Sequence, residues 1–211
     1  MRTLVIETAT AACSVALIDD GTVVAARHQI VGRGHAEKLL PMIAALPGGG
    51  RADALLVDCG PGSFTGIRVG IAAARALALG WQTTLAGYSS LSLLALAHLR
   101  DNPALPGLAV IIEGGHGEVF MQVFDAQPFA AVHDPASLTP AAALAALGAR
   151  RAIGSGVPRL ALIDDGIDAG ADGADALPRA ADAVLLPPRF AALAPIPFYG
   201  RAPDAKPMTP A

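Results

Sequence analysis

The stretch VDCGPGSFTGIRVGIAAARALALG, residues 57–80, reads as a strand end, a glycine-rich turn and a helix. Ala54 to Val57 is a short apolar run of the length of a buried strand. Gly60, Pro61 and Gly62 break it. Ser63 is a good N-cap, since its hydroxyl can accept from an orphan N–H of the first turn. Gly80 is the predicted stop. Gly66, Gly70, Ala74 and Ala78 fall four apart, so one face of the helix carries almost no side-chain bulk. Arg68 and Arg75 lie seven apart and share another face. A glycine inside a helix costs up to about 1 kcal/mol relative to alanine. Two at this spacing call for something packed close to the backbone: a phosphate, a neighbouring element of the chain, or another protein.

The chain opens with three strand patterns, Thr3–Ala9, Cys13–Asp19 and Thr22–Ile30, the last two joined by the hairpin signal Asp20-Gly21. His35–Leu46 follows as a helix with an apolar stripe at Ala36, Leu39, Leu40, Ile43 and Leu46, and Pro41 is expected to kink it. After the central stretch come a strand near Thr84–Ala86 and a helix from Ser89 or Ser90 to Leu99. Three antiparallel strands followed by alternating helices and strands predict a mixed sheet with helical cover, the order of an RNase H-like lobe. Asp101-Asn102-Pro103 marks a boundary, placing a first lobe at 1–103 and a second at 104–211. The second lobe restarts with strands at Leu108–Glu113 and Glu118–Asp125. A helix capped by Thr139 then runs to Gly148, and a short strand covers Arg151–Ile153. The Ala, Gly and Asp-rich segment 164–182 reads as irregular or mobile surface, and the proline-rich tail from Pro187 as extended.

Composition bounds the function. The 211 residues are 53% hydrophobic, enough for a real core, and the net charge of −3 argues against an autonomous nucleic-acid binder. Two cysteines outside any C-x-x-C make no disulfide framework and fit a reducing compartment. Glu7 interrupts the apolar N-terminus, so it is not a signal peptide, and no run approaches a membrane span. The reading is a soluble cytoplasmic protein.

The motifs give little catalytic chemistry. Gly60-x-Gly62-x-x-x-Gly66 is one residue longer than the dinucleotide fingerprint, and no Gly-Lys-Ser/Thr exists for a Walker A loop. An actin-type ATPase would use an acid on the first strand, where Glu7 stands, and a second turn at Gly114-Gly115-His116-Gly117. The histidines lack metalloprotease spacing, and Ser63 is not in G-x-S-x-G. No catalytic residue, cofactor or metal ligand is assigned. What survives is packing. The small-residue helix and the stripe of helix 35–46 form a two-helix surface, which covers this chain's own sheet or also presents a face to another protein.

Gly60-Pro61-Gly62-Ser63-Phe64-Thr65-Gly66-Ile67-Arg68-Val69-Gly70 closely resembles the signature of the bacterial TsaB (YeaZ) family. Val5-Ile6-Glu7-Thr8-Ala9-Thr10, His35-Ala36-Glu37-Lys38-Leu39-Leu40-Pro41 and Gly117-Glu118-Val119-Phe120 resemble its opening, first helix and second-lobe hairpin, and Tyr199 with 201–207 its C-terminal end. The resemblance implies a two-lobed actin/Hsp70-like (RNase H-like) α/β fold with a degenerate second lobe. It also implies a non-catalytic platform subunit in forming N6-threonylcarbamoyladenosine beside the tRNA anticodon. The implied partners are a TsaD-type catalytic paralogue and a TsaE-type ATPase, with a homodimer when alone and tRNA met only through the complex. The alternative is an independent actin-fold ATPase or glycoprotease-like hydrolase. The expected partner interface comprises His35, Leu39, Leu40, Ile43, Gly66, Arg68, Gly70, Ala74 and Arg75. Leucine at Gly70 or Ala74 is expected to block pairing in a folded monomer. The chain departs from the family at Glu7, where Asp is usual, at Ile112-Glu113-Gly114-Gly115, where Asp-Ala-Arg is common, and in a late helix reduced to Arg189–Leu193.

Overall fold

The computed structural model describes residues 1–200, with backbone only at 171 and 172. The run 201–207 cited for the family resemblance lies outside the described residues. The chain begins with β1 (Arg2–Glu7), β2 (Ala12–Asp19) and β3 (Thr22–Ile30), an antiparallel meander. Asp20 and Gly21 both have positive φ, the conformation that a tight two-residue hairpin requires. Next come α1 (His35–Ala44), β4 (Ala54–Asp58), α2 (Phe64–Trp81), β5 (Thr84–Tyr88) and α3 (Ser90–Asp101). The first sheet has the order β3-β2-β1-β4-β5, with β1, β4 and β5 parallel.

A second sheet follows the same opening. It consists of β6 (Gly107–Glu113), β7 (Val119–Ala126), β8 (Phe129–Ala131) and β9 (Ala136–Leu138), then α4 (Pro140–Leu147) and β10 (Ala152–Ile153). Its order is β10-β6-β7-β8, with β9 also paired to β7. Two long strands carry it and the other three are two or three residues long, so it is a reduced copy of the first. Two mixed sheets with helical cover make the actin-like fold that the element order predicts.

The first sheet is covered on both faces, which is why β1 and β2 are buried almost throughout. On one side Leu4, Ile6, Val15, Leu17 and Val57 meet Leu39 and Ile43 of α1 and Ile67, Ile71 and Ala74 of α2. Each of these valine, leucine and isoleucine side chains, fully buried, contributes roughly 1.5–3 kcal/mol. On the other side Val5, Ala16, Ile18 and Leu56 meet Tyr88, Leu93, Ala180 and Ala183. This corrects the reading of 164–182 as irregular surface at its end only. Its end and the helical turn that follows, Ala180–Leu185, lie over the sheet, where small alanines let the backbone come close. Ala180 N–H donates to Ser14 Oγ of β2 at 3.0 Å.

Two local expectations also change. The central helix runs through Gly80 and is capped by Gln82 in the left-handed region, φ 55. The late helix is a single turn, Pro188–Phe190. The helix carrying Pro41 continues past it as expected, and Ala45 N–H donates to the Pro41 carbonyl.

The small-residue face of α2 lies on β1. A methyl group at Gly66 would collide with the Thr8 carbonyl oxygen, and one at Gly70 with Thr8 Oγ1. The same Thr8 hydroxyl donates to the Gly66 carbonyl at 2.8 Å. Gly80, by contrast, has open space around it. The two ends of one helix therefore predict opposite outcomes. Gly66→Ala and Gly70→Ala each lower unfolding stability by about 1–3 kcal/mol through overpacking. Gly80→Ala raises it by up to about 1 kcal/mol through helix propensity. Chemical denaturation of the three variants checks both signs.

Candidate functional site

The C-terminal ends of β1 and β4 place two carboxylates side by side in the sheet, Glu7 and Asp58, both fully buried. Glu7 accepts from Ala9 N–H at 2.9 Å through Oε1 and from the Tyr88 hydroxyl at 3.0 Å through Oε2. Asp58 accepts from Gly60 N–H at 3.0 Å and Ser90 N–H at 2.9 Å, tying the glycine-rich turn to the start of α3. Burial raises both carboxyls above the usual carboxylate range, Glu7 strongly and Asp58 to about 7. The charge of Asp58 adds to the shift at Glu7. Burial likewise pushes the thiols of Cys13 and Cys59 up, to about 11 and about 12, so neither is an activated nucleophile. Sequence reasoning singled out Glu7 and missed Asp58. The available signal was an acid closing an apolar strand just before Gly-Pro-Gly.

This geometry bears on the catalytic readings. Glu7 stands at the position of an ATPase strand acid, but both of its oxygens are engaged and Tyr88, itself fully buried, closes over it. Four N–H groups in and after the glycine-rich turn are bonded within the chain: Gly60 N–H to Asp58, Ser63 N–H to the Ala9 carbonyl at 2.6 Å, Gly66 N–H to Ser63 Oγ at 3.2 Å and Ile67 N–H to the Ser63 carbonyl. Those four are not available to an anion. An open hollow of about 690 Å³ lies at the opposite end of the sheet among Arg2, Asp53 and Trp81. Among the described residues no cluster of three His, Cys, Asp or Glu is placed for a metal, and no helix is long and apolar enough to cross a membrane.

The residues expected at a partner interface divide sharply. His35, Leu39, Ile43, Gly66, Gly70 and Ala74 are buried inside this chain. His35 Nε2 donates to the Ala12 carbonyl at 3.1 Å, and the others pack on the sheet. Leucine at Gly70 or Ala74 would therefore disturb the fold before it reached a partner, contrary to the expectation of a folded monomer. Leu40, Arg68 and Arg75 do reach the surface. Because both helices bury their inner faces in one cluster, their outer faces lie side by side, and α1 contacts α2. That outer surface carries Leu40, Pro41 and Ala44 on α1 and Ala72, Ala76 and Leu79 on α2, all exposed. Six of the nine expected residues thus lie on the inward stripe, and residues half a turn from Ile67, Ile71 and Ala74 mark the outward one.

The two arginines hold the C-terminal segment. Arg68 Nε donates to the Tyr199 hydroxyl at 2.9 Å, and its guanidinium stacks on Phe64 at 3.5 Å from the ring centre. Arg75 donates to the Pro195 carbonyl at 2.8 Å. Leu193 bridges to Gly87 of β5, and Phe198 N–H donates to the Cys59 carbonyl. Residues 193–200 thus form a strap along α2 and the turn.

The family model of TsaD, tRNA N6-adenosine threonylcarbamoyltransferase, matches residues 26–144. The tRNA threonylcarbamoyladenosine biosynthesis protein TsaB of Escherichia coli K12 is 44% identical over 125 residues, which cover 57% of this chain and 53% of that one. The chain spans about half the length of the curated relatives it matches. YeaZ from Pseudomonas aeruginosa superposes with a TM-score of 0.70 at 27% identity, covering 86% of this chain and 87% of that one. Another structure, described as an uncharacterized protein from Pseudomonas aeruginosa similar to peptidase YEAZ, gives 0.75 at 27% identity, covering 95% and 99%.

The buried acid pair sets a pH dependence of stability. Its carboxyls are raised in the folded state, so the folded chain binds more protons than the unfolded one across the shifted range. Stability is then full below the ordinary carboxylate range near pH 4 and falls as pH rises through about 7 for Asp58. The fall is at most roughly 1.4 kcal/mol per pH unit for each group. Asp58→Asn removes its share, so the slope of unfolding free energy between pH 4 and 8 becomes less negative than in the wild type. Urea titrations at stepped pH measure it.

Proposed function

This chain belongs to the TsaB (YeaZ) family, and from that premise we propose that it serves the formation of N6-threonylcarbamoyladenosine in tRNA as a non-catalytic platform. Its partner in this reading is a TsaD-type catalytic paralogue, joined by a TsaE-type ATPase, and it pairs with itself when alone. It meets tRNA only through that complex, in the cytoplasm, without a cofactor of its own. Residues 1–103 act as the pairing lobe and 104–211 as a shorter companion.

The observation that carries the proposal is the outer face of α1 and α2. Leu40, Ala44, Ala72, Ala76 and Leu79 make it apolar and low in relief, and Leu79 is 82% exposed. An apolar helical face of this kind is a helix-packing surface: small side chains let a second helix pair approach, and covering the leucines removes apolar area from water. The enclosure of Glu7 supports the non-catalytic half of the reading, since a carboxylate with both oxygens bonded and no exposure offers nothing to a hydrated cation. That enclosure weighs equally against an independent ATPase or hydrolase. Turnover of ATP by the chain alone, lost in Glu7→Ala, would reverse the judgement.

Two measurements test the proposal. Depletion of the protein in its own cells lowers threonylcarbamoyladenosine in the tRNA nucleosides seen by mass spectrometry, and an unchanged level sinks the reading. Ala76→Glu and Leu79→Glu, on the exposed side of α2, weaken the complex with the TsaD-type protein at least tenfold while the thermal melt stays within a few degrees of wild type.

A further inference from the structure

The strap changes what kind of surface the paired helices present. Between Asp58 and Asp101 the chain has no acidic residue, and between Asp182 and Asp204 it has none again. The first of these stretches contains α2 and the second contains the strap, so both sides of the Arg68–Tyr199 contact lack carboxylates in a chain with 18 of them. Arg68 and Arg75 are hydrogen-bonded to neutral oxygens only, a phenol and a carbonyl. Other arginines are matched differently: Arg2 pairs with Asp19, Arg100 with Asp101 and Asp182, Arg151 with Asp168 and Arg159 with Glu113. Each guanidinium has five N–H donors, and these two are each given one bond within the described residues. Among the described residues their positive charge is held by the strap and met by no carboxylate. Around it the apolar surface is large: Phe64 is 56% exposed and Tyr199 46%, with rings 5.5 Å apart.

We propose that the strap and α2 form one docking surface for an acidic, apolar helical face of a partner protein, with Arg68 and Arg75 each receiving a carboxylate and the Phe64–Tyr199 corner acting as its aromatic anchor. The inference rests on the pairing reading above and adds the chemistry of the partner. The two arginines are seven residues apart, two turns, so the carboxylates they receive are separated by roughly 10 Å along the helix. Aromatic rings and arginine at the centre of a contact are the side chains on which binding energy concentrates. An arginine held by a neutral bond keeps its planar fork ready for bidentate pairing with a carboxylate. The strap therefore places these groups before the partner arrives, and does so by bonds that leave their charge intact.

The test is calorimetric titration of the full chain with the TsaD-type protein of the same organism, at 50 and 500 mM NaCl. The expected result is a dissociation constant that rises at least tenfold in Arg75→Glu and in Tyr199→Ala, and that rises with salt in the wild type but little in Arg75→Glu. Arg75→Gln, which keeps a donor for the Pro195 carbonyl, weakens binding by a smaller factor and separates lost charge from a displaced strap if the other variants melt early. Unchanged affinity in Arg75→Glu and Arg75→Gln, with binding still weakened at least tenfold by Leu79→Glu, would overturn the inference and leave the pairing reading standing. No binding by the wild type would remove both. Loss of affinity for a labelled anticodon stem-loop RNA in Arg75→Glu, with affinity for the protein unaltered, would assign the patch to nucleic acid and overturn the proposal.

Discussion

The rest of the structure depends on how closely α2 lies on β1. Thr8 reaches across to donate to the Gly66 carbonyl, and both Gly66 and Gly70 rest against the same residue with no room for a methyl group. Helices normally pack with side chains between their backbones, so an approach this tight is available only where those side chains are absent. It fixes the height and direction of α2 over the sheet. It therefore fixes where α1 sits beside it, where the outer faces of the two helices point, and where the strap can run.

The same closeness accounts for the chemistry at the strand ends. The turn from Gly60 to Ser63 must bring the chain from β4 onto α2 in very few residues, and it does so by bonding its N–H groups to Asp58, Ala9 and Ser63. The N–H groups bonded in this way are not available to a phosphate. Asp58 and Glu7 are enclosed beneath it, and their burial, together with the repulsion of Glu7 by Asp58, favours protonation. Beneath the turn lies a closed polar cluster that holds β1, β4, β5 and α3 to one another.

Much of this was legible in residues. The Asp20-Gly21 hairpin, the Ser63 and Thr139 caps and the alternation of helix and strand patterns predicted the element order, because each depends on a few neighbouring side chains. The glycine spacing of α2 predicted a close neighbour. Other features were not legible. Gly80 looked like a helix stop, yet the helix continues, because the left-handed cap falls to Gln82. The alanine-rich stretch near 180 looked like loose surface, yet Ala180 and Ala183 are buried on the sheet. Small residues carry little hydrophobic signal of their own, and only the proximity of a sheet makes them core.

The sequence by itself determined an RNase H-like order of strands and helices, that α2 would pack tightly on something, and that no familiar catalytic motif was present. Those conclusions rest on local periodicity and on residue chemistry, which do not require knowing what lies opposite. Tertiary structure alone decided which neighbour fills the small-residue face, that six of nine candidate interface residues turn inward, and that Arg68 and Arg75 hold the C-terminal strap. A helix has two sides with the same periodicity, half a turn apart. Which one meets the sheet is set by packing contacts between residues distant in the chain, and that choice leaves Leu40, Ala72, Ala76 and Leu79 as the surface offered to others.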